Sequence, residues 1–153
     1  MWYCYILRNT NPLYSNLTYN GFSPDVENRL KVHNKNKGAK ATKGKGPTWE
    51  IYALMTGFAS KSNALSCEWR IKKVTNTRKR PAQYCGVAGR IKSLNVILPL
   101  EMWTMQCKVK NSDCQYTLWL TEDVQHYVDR NIVPSNITII VVPKIIPEVY
   151  KLI

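Results

Sequence analysis

The chain has 153 residues, 44% hydrophobic and 21% charged, which suits one domain or one small domain with an extension and excludes a mainly disordered chain. Its 22 Lys and Arg against 10 Asp and Glu give a net charge of +12. The excess is uneven, with 19 basic and 5 acidic residues in 1–112 but 3 and 5 in 113–153. The first three quarters are therefore expected to meet a polyanion.

In chain order, the opening Met-Trp-Tyr-Cys-Tyr has no basic stretch followed by an apolar run, so no secretory leader is expected. Residues 2–8 (WYCYILR) read as a strand, 9–16 as turn chemistry and 17–22 as a second, antiparallel strand. Ser23 is the expected N-cap of a helix with Pro24 in its first position, carrying Val26, Leu30 and His33 on one side and Arg29 close by. Residues 35–47 (KNKGAKATKGKGP) hold five lysines, three glycines and no acid, and predict a mobile surface loop. A strand is expected over 49–58. A helix capped by Ser60 follows over 61–73, with Ala64, Leu65 and Trp69 facing inward and Glu68 beside them. Arg78, Lys79 and Arg80 form a basic connector before a helix over 82–98. Beyond it, strands are expected at 102–109, 116–120 and 137–142, with a short helix from Thr121 to Arg130.

Five cysteines, with no CxxC pair, argue against a disulfide framework and for a reducing compartment, nucleus or cytoplasm. Cys107, Cys114 and His126 match no standard zinc spacing, so no zinc is expected. The longest apolar run, 137–142, is too short to span a bilayer, so no membrane partner is expected.

Tyr5 and Tyr19, on adjacent strands, can project from one face of the sheet. Arg29 and His33 are four apart on a helix and share a side. Glu68 stands on the next helix among basic residues, and no other carboxylate occurs in 28–49 or 69–100. One carboxylate, one guanidinium, one imidazole and two phenols on a basic surface suit phosphodiester hydrolysis. The carboxylate can hold a divalent metal, the guanidinium can neutralise phosphate, and a phenol or imidazole can move the water's proton. Each also has an ordinary structural role: a strand Tyr as core, Arg29 as a solvated charge, His33 as a helix C-cap, Glu68 as an ion-pair partner of Lys72.

The order and spacing of these residues resemble the GIY-YIG nuclease family. Tyr3-Cys4-Tyr5 stands at the GIY position and Tyr19-Asn20-Gly21 at the YIG position, with Arg29, His33 and Glu68 following in register. Neither triplet is literal: Tyr3-Cys4 replaces Gly-Ile and Asn20 replaces Ile. Within the family, the chain is most similar to the branch formed by catalytic subunits of structure-specific endonucleases that cut branched DNA. The likeness rests on WYCYILRN, TYNGFSPDVENRLKVHN, KGAKATKGKGPTWEIYALMTGF and SKSNALSCEW. It is strong over residues 2–73 and weaker through 82–98 and the LPLEMW segment.

The resemblance implies an α/β fold with a small antiparallel three-stranded sheet (2–8, 17–22, 49–58) flanked by helices. Residues 1–98 would form the nuclease domain with its following helix, and 99–153 a mixed strand and helix extension packed on it. It implies metal-dependent hydrolysis of DNA in branched or flapped duplexes, as in repair, recombination or replication. Tyr5, assisted by His33, would position or deprotonate the water, and Tyr19 would orient the phosphate or share the base role. Arg29 would stabilise the developing charge, and Glu68 would bind one Mg²⁺ or Mn²⁺. Lys35, Lys37, Lys40, Lys43 and Lys45, with Arg78, Lys79 and Arg80, would grip the DNA backbone without reading sequence. This branch carries a C-terminal zinc-binding RING that docks on a scaffold, and the present chain has no such module, which leaves a scaffold partner without support. Other branches place an Asn about a dozen residues after the catalytic Glu; Arg80 stands there, and the role is not transferred to it. Two rival readings are a DNA- or RNA-binding module that kept the fold without activity, and an interaction protein working through 99–153.

Overall fold

The structure, a computed structural model, describes residues 1–151. The chain is mixed α/β, as the sequence implies, but its sheet has five strands rather than three. The strands are β1 (Tyr3–Asn9), β2 (Thr18–Ser23), β3 (Trp49–Thr56), β4 (Tyr116–Thr121) and β5 (Ile137–Val142), in the order β2-β1-β3-β4-β5. The first four pair antiparallel, and β5 runs parallel to β4.

Why the sheet widens is written in β3. Its run IYALMT is buried residue after residue, the pattern of a central strand covered on both faces. Such a strand cannot stand at an edge, where its unpaired backbone would be open. Residues beyond 99 therefore complete the sheet in-plane, with Ala53 to Thr56 facing Leu120 to Thr117, and also pack on it through Trp103, Val124 and Val128.

Among the described residues, four helices cover the two faces: α1 (Val26–Asn34), α2 (Lys61–Lys72), α3 (Gly86–Ile97) and the short α4 (Pro147–Tyr150). Strand alternation sends Cys4, Ile6, Met55, Leu118 and Leu120 against α2 and α3, where Ala64, Cys67, Ile71, Ile91 and Leu94 close one core. Tyr5, Leu7, Ile51, Leu54 and Trp119 point the other way, toward Val26 and Leu30 of α1 and Tyr150 of α4. A bulge in the β1–β3 pairing, between Ile6 and Leu7, lets Tyr52 and Ala53 both join the first core.

Several local expectations change. Ser23 stays paired with Tyr3 in the sheet, so Asp25 caps α1 instead, accepting from Asn28 N at 3.1 Å. On α2, Ala64 is buried but Leu65 and Trp69 are 45% and 44% exposed; Cys67 and Ile71 take the inward stripe. The expected strand over 102–109 is irregular. Trp103 is buried against Tyr116 and its carbonyl is taken by Arg70 Nε at 2.7 Å, which holds the segment as a plug. The helix expected after Thr121 is two short 3-10 turns, Gln125–Tyr127 and Arg130–Ile132, with Val124 and Val128 both buried in the first core.

The lysine segment also departs from expectation. Its centre packs back on the domain: Thr42 is fully buried, and Trp49 Nε1 donates to the Thr42 carbonyl at 3.2 Å. Asn36 Oδ1 accepts from Gly44 N and Gly46 N, fastening the far limb to the end of α1. Composition alone misses this because three anchors, Asn36, Thr42 and Trp49, outweigh the lysines around them. All five cysteines are free thiols. Among the described residues, no helix is long and apolar enough to cross a membrane.

Candidate active site

At the β2 edge of the sheet, Tyr5, Tyr19, Arg29 and His33 come together from three elements, with Glu68 of α2 within electrostatic reach of the Tyr5 phenol. Tyr5 of β1 pairs with Gly21 of β2, and its ring lies across that glycine. A Cβ on Gly21 would sit 2.5 Å from the Tyr5 hydroxyl, so this position must be bare for the phenol to reach its place. Tyr19 projects from the same face two pairs along, opposite Leu7.

From α1, His33 Nε2 lies 3.0 Å from the Tyr5 hydroxyl, and the His33 and Tyr19 ring centroids are 5.1 Å apart. The other imidazole nitrogen fixes which proton sits where. Thr42 Oγ1 donates to the Ala39 carbonyl at 3.0 Å, so it is left to accept from His33 Nδ1 at 2.8 Å. Nε2 is then the bare nitrogen, and it accepts from the Tyr5 hydroxyl. A directed chain results: Tyr5 O–H to His33, His33 N–H to Thr42, Thr42 O–H to the Ala39 carbonyl. Gly38 closes over it, since a Cβ there would fall 2.6 Å from His33 Nδ1.

The electrostatics keep both groups neutral. Burial pushes the Tyr5 phenol up to about 12, with the neighbouring Arg29 guanidinium opposing the rise. Burial, and secondly Arg29, pushes His33 down from 6.5 to about 4. A neutral imidazole at physiological pH is what a proton acceptor requires. Tyr5 is only 2% exposed and His33 is sealed, whereas Tyr19 and Arg29 are half-buried and open to an incoming ligand.

A pH test follows directly. Activity that uses His33 as a proton acceptor should show no inflection near 6.5, the ordinary imidazole value, and should fall only as pH approaches about 4. Stability has the same window. The unfolded imidazole takes up a proton near 6.5 and the folded one near 4, so the stabilisation is complete above 6.5 and is lost as pH falls between those values. Thermal unfolding of His33→Gln should lose that part of the slope; an unchanged slope would remove His33 as its source.

Glu68 of α2 is buried, and Lys72 Nζ meets its Oε1 at 2.8 Å, the i, i+4 pair foreseen as its ordinary role. Its backbone carbonyl accepts from Asn20 Nδ2 at 3.1 Å, and Asn20 Oδ1 in turn accepts from Arg90 Nη2. A single link thus ties the edge strand, the carboxylate-bearing helix and α3. The sequence reading missed Thr42, Asn20 and Arg90 as parts of this site. Thr42 was visible only as one β-branched residue among lysines and glycines, and Asn20 as a departure from the YIG pattern.

The basic segments flank the site on two sides. Lys35, Lys37, Lys40 and Lys43 are exposed and Lys45 half-buried on the segment that holds Thr42 against His33. Arg78, Lys79 and Arg80 line a hollow that also contains Tyr19.

The family model for the GIY-YIG catalytic domain matches residues 1–81. The chain belongs to the GIY-YIG family. Among its relatives, a UPF0213 protein of Vibrio parahaemolyticus is 41% identical over 78 residues, covering 51% of this chain and 68% of that one. A UPF0213 protein of Pectobacterium carotovorum is 40% identical over 78 residues, covering 51% and 73%. The UPF0213 protein YhbQ of Escherichia coli is 35% identical over 95 residues, covering 61% and 89%. These relatives connect the chain to UPF0213 proteins and not specifically to the branched-DNA endonuclease subunits that the sequence suggested.

GIY-YIG membership implies a nuclease domain and hence contact with DNA, and nucleases of this family typically use divalent metal ions. Among the described residues, no three His, Cys, Asp or Glu side chains converge as a ready-made metal cage. The chain would contribute Glu68, with water and phosphate oxygens completing the shell. That donor set fits a hard cation such as Mg²⁺, which commonly takes one or two carboxylates plus substrate phosphate.

Proposed function

We propose that this protein is a metal-dependent endonuclease that hydrolyses DNA phosphodiester bonds, in branched or flapped duplexes. The observation that carries the reading is the directed chain from Tyr5 through His33 to Thr42, with Arg29 beside the phenol. A chain of this kind gives a proton one direction to travel. As a water oxygen attacks phosphorus, its proton passes to the Tyr5 oxygen and the Tyr5 proton passes to His33 Nε2. The imidazolium that forms keeps its Nδ1–H on Thr42, and the phosphorus–oxygen bond to the leaving group breaks, that oxygen taking a proton from solvent. Tyr19 orients the phosphate, and Arg29 offers a planar donor fork to the non-bridging oxygens as their charge grows. A Mg²⁺ or Mn²⁺ ion held by Glu68 would supply charge neutralisation at the phosphoryl oxygens.

The test is a panel of end-labelled duplex, flap, fork and four-way junction DNAs incubated with Mg²⁺ or Mn²⁺. Metal-dependent cuts concentrated at flaps or branch points are expected. No cleavage of any substrate, with DNA still bound, would leave the non-catalytic binding module as the better account. Cleavage spread evenly along plain duplex would overturn the branched substrate alone.

The lysine segment should act through charge. Changing Lys37, Lys40, Lys43 and Lys45 together to Ala should flatten the salt dependence of log K on duplex by about 0.9 for each DNA phosphate that a lysine no longer neutralises. An unchanged slope would make these lysines bystanders and move the backbone grip to Arg78–Arg80.

A further inference from the structure

Beside Tyr19, on the side away from the lysine segment, lies an open hollow of about 480 Å³ lined by Lys72, Lys73, Arg78, Arg80 and Arg90. Arg90 is the unusual member. It is 2% exposed, yet none of the ion pairs among the described residues includes it. A buried cation ordinarily has a carboxylate against it, because removing it from water is costly. Here Nη2 reaches only a neutral amide oxygen, that of Asn20, while the Nε–H is buried without any partner. Arg80 repeats the pattern, with one Nη on the Lys72 carbonyl and a buried, unpartnered Nε–H. The Arg80 guanidinium stands close enough to disfavour the charge on Arg90, and burial together with Arg80 pushes Arg90 down to about 10, still charged at neutral pH. Two neighbouring, incompletely bonded arginines in one basic hollow describe half of an anion site.

We propose that this hollow is a phosphate subsite separate from the scissile position, with Arg90 as its floor and Arg80 as its wall. It deepens the nuclease reading and rests on it for the identity of the ligand. The ligand is a phosphate group of the nucleic acid strand, displaced from the one that Tyr19 and Arg29 meet. Tyr19 lines the hollow and also touches His33, so a strand seated there is placed next to the proton chain. Arg90 further bonds Asn20, which holds the Glu68 carbonyl, so the same phosphate would steady the strand and helix that present Glu68. The source is either an internal phosphodiester or a terminal phosphomonoester, both of which offer the oxygens that paired Nε–H donors want.

The test reads the arginine Nε–H resonances of ¹⁵N-labelled full-length protein in EDTA, at ionic strength held constant with chloride. Inorganic phosphate is expected to shift the Arg80 and Arg90 resonances saturably. No shift of these two, or a shift of Arg29 alone, overturns the subsite. Since Arg90→Gln threatens the fold, Arg80→Gln is the working variant, and phosphate binding read at Arg90 should weaken about tenfold. Unchanged affinity in that variant also overturns the proposal. Tetrathymidylate with and without a 5′-phosphate separates the sources. Binding about tenfold tighter with the terminal group assigns the chain end; equal binding assigns the internal diester; failure of both to move Arg80 and Arg90 overturns the subsite. Because the readout needs neither metal nor cleavage, absent cleavage with these shifts intact removes the nuclease reading and leaves the subsite standing.

Discussion

Glu68→Gln is expected to lower cleavage by about a hundredfold or more, given that even the outer partners of metal ligands are worth about 10–100-fold. The substitution keeps size and shape and removes only the charge that would hold a divalent cation. DNA binding should move the opposite way. In the native protein Lys72 is tied to Glu68 at 2.8 Å, and that lysine also lines the basic hollow. Releasing it adds a free ammonium to the phosphate-facing surface, so metal-free DNA affinity should hold or rise slightly. Single-turnover cleavage and binding in EDTA, measured side by side, read the two effects separately. Native cleavage rates at saturating Mg²⁺ would take Glu68 out of the mechanism. Weakened binding would mean instead that the ion pair supports the fold of α2.

Arg29→Ala should divide binding from chemistry in a different way. It removes one guanidinium among 22 basic residues, so affinity for DNA should change little. Its proposed work comes when negative charge builds on the non-bridging oxygens, and a contact made only then lowers kcat and kcat/KM together while leaving KM nearly alone. Loss of one such donor is worth at least about a hundredfold. Lys at this position should rescue little, since it keeps the charge and loses the planar fork. The structure adds a further consequence. Arg29 opposes ionisation of His33 and favours ionisation of Tyr5, so removing it should also raise the imidazole pKa toward its ordinary value. The residual activity of Arg29→Ala should then lose its flat profile and begin to fall at a higher pH than that of the native protein. Turnover above half the native rate would show Arg29 to be a solvated helix charge.

How much of the site could be read beforehand differs residue by residue. Tyr5, Tyr19, Arg29 and His33 were accessible because strand alternation and helical spacing are local properties: two residues along a strand, four along a helix. Glu68 was accessible because it is isolated among basic residues. The grouping of Tyr5, Tyr19, Arg29 and His33 follows from two strands paired in the sheet and the helix that comes next in the chain and packs on them. Thr42, Asn20 and Arg90 were not accessible in this way. Thr42 acquires its part only when the segment 35–47 folds back over α1. Asn20 and Arg90 meet across 70 residues, and neither shows in its own neighbourhood that it has a partner.

The sequence by itself determined the class of the fold, the first three strands, the identity of α1 and α2, and the residue types that gather for phosphodiester chemistry. The elements follow from periodicity, capping residues and composition within a window of some twenty residues or fewer, and the resemblance to the GIY-YIG family implied the sheet and singled out the site residues. Tertiary structure alone decided the rest. The central position of β3 had to be completed by strands more than sixty residues away, and only packing selects which later segment supplies them. It turned a lysine-rich segment into the lid of His33, because one buried threonine and one tryptophan outweigh its exposed charges. And it set the proton's direction: whether Nδ1 or Nε2 of an imidazole is bare depends on what lies 3 Å away, which no local pattern of residues encodes.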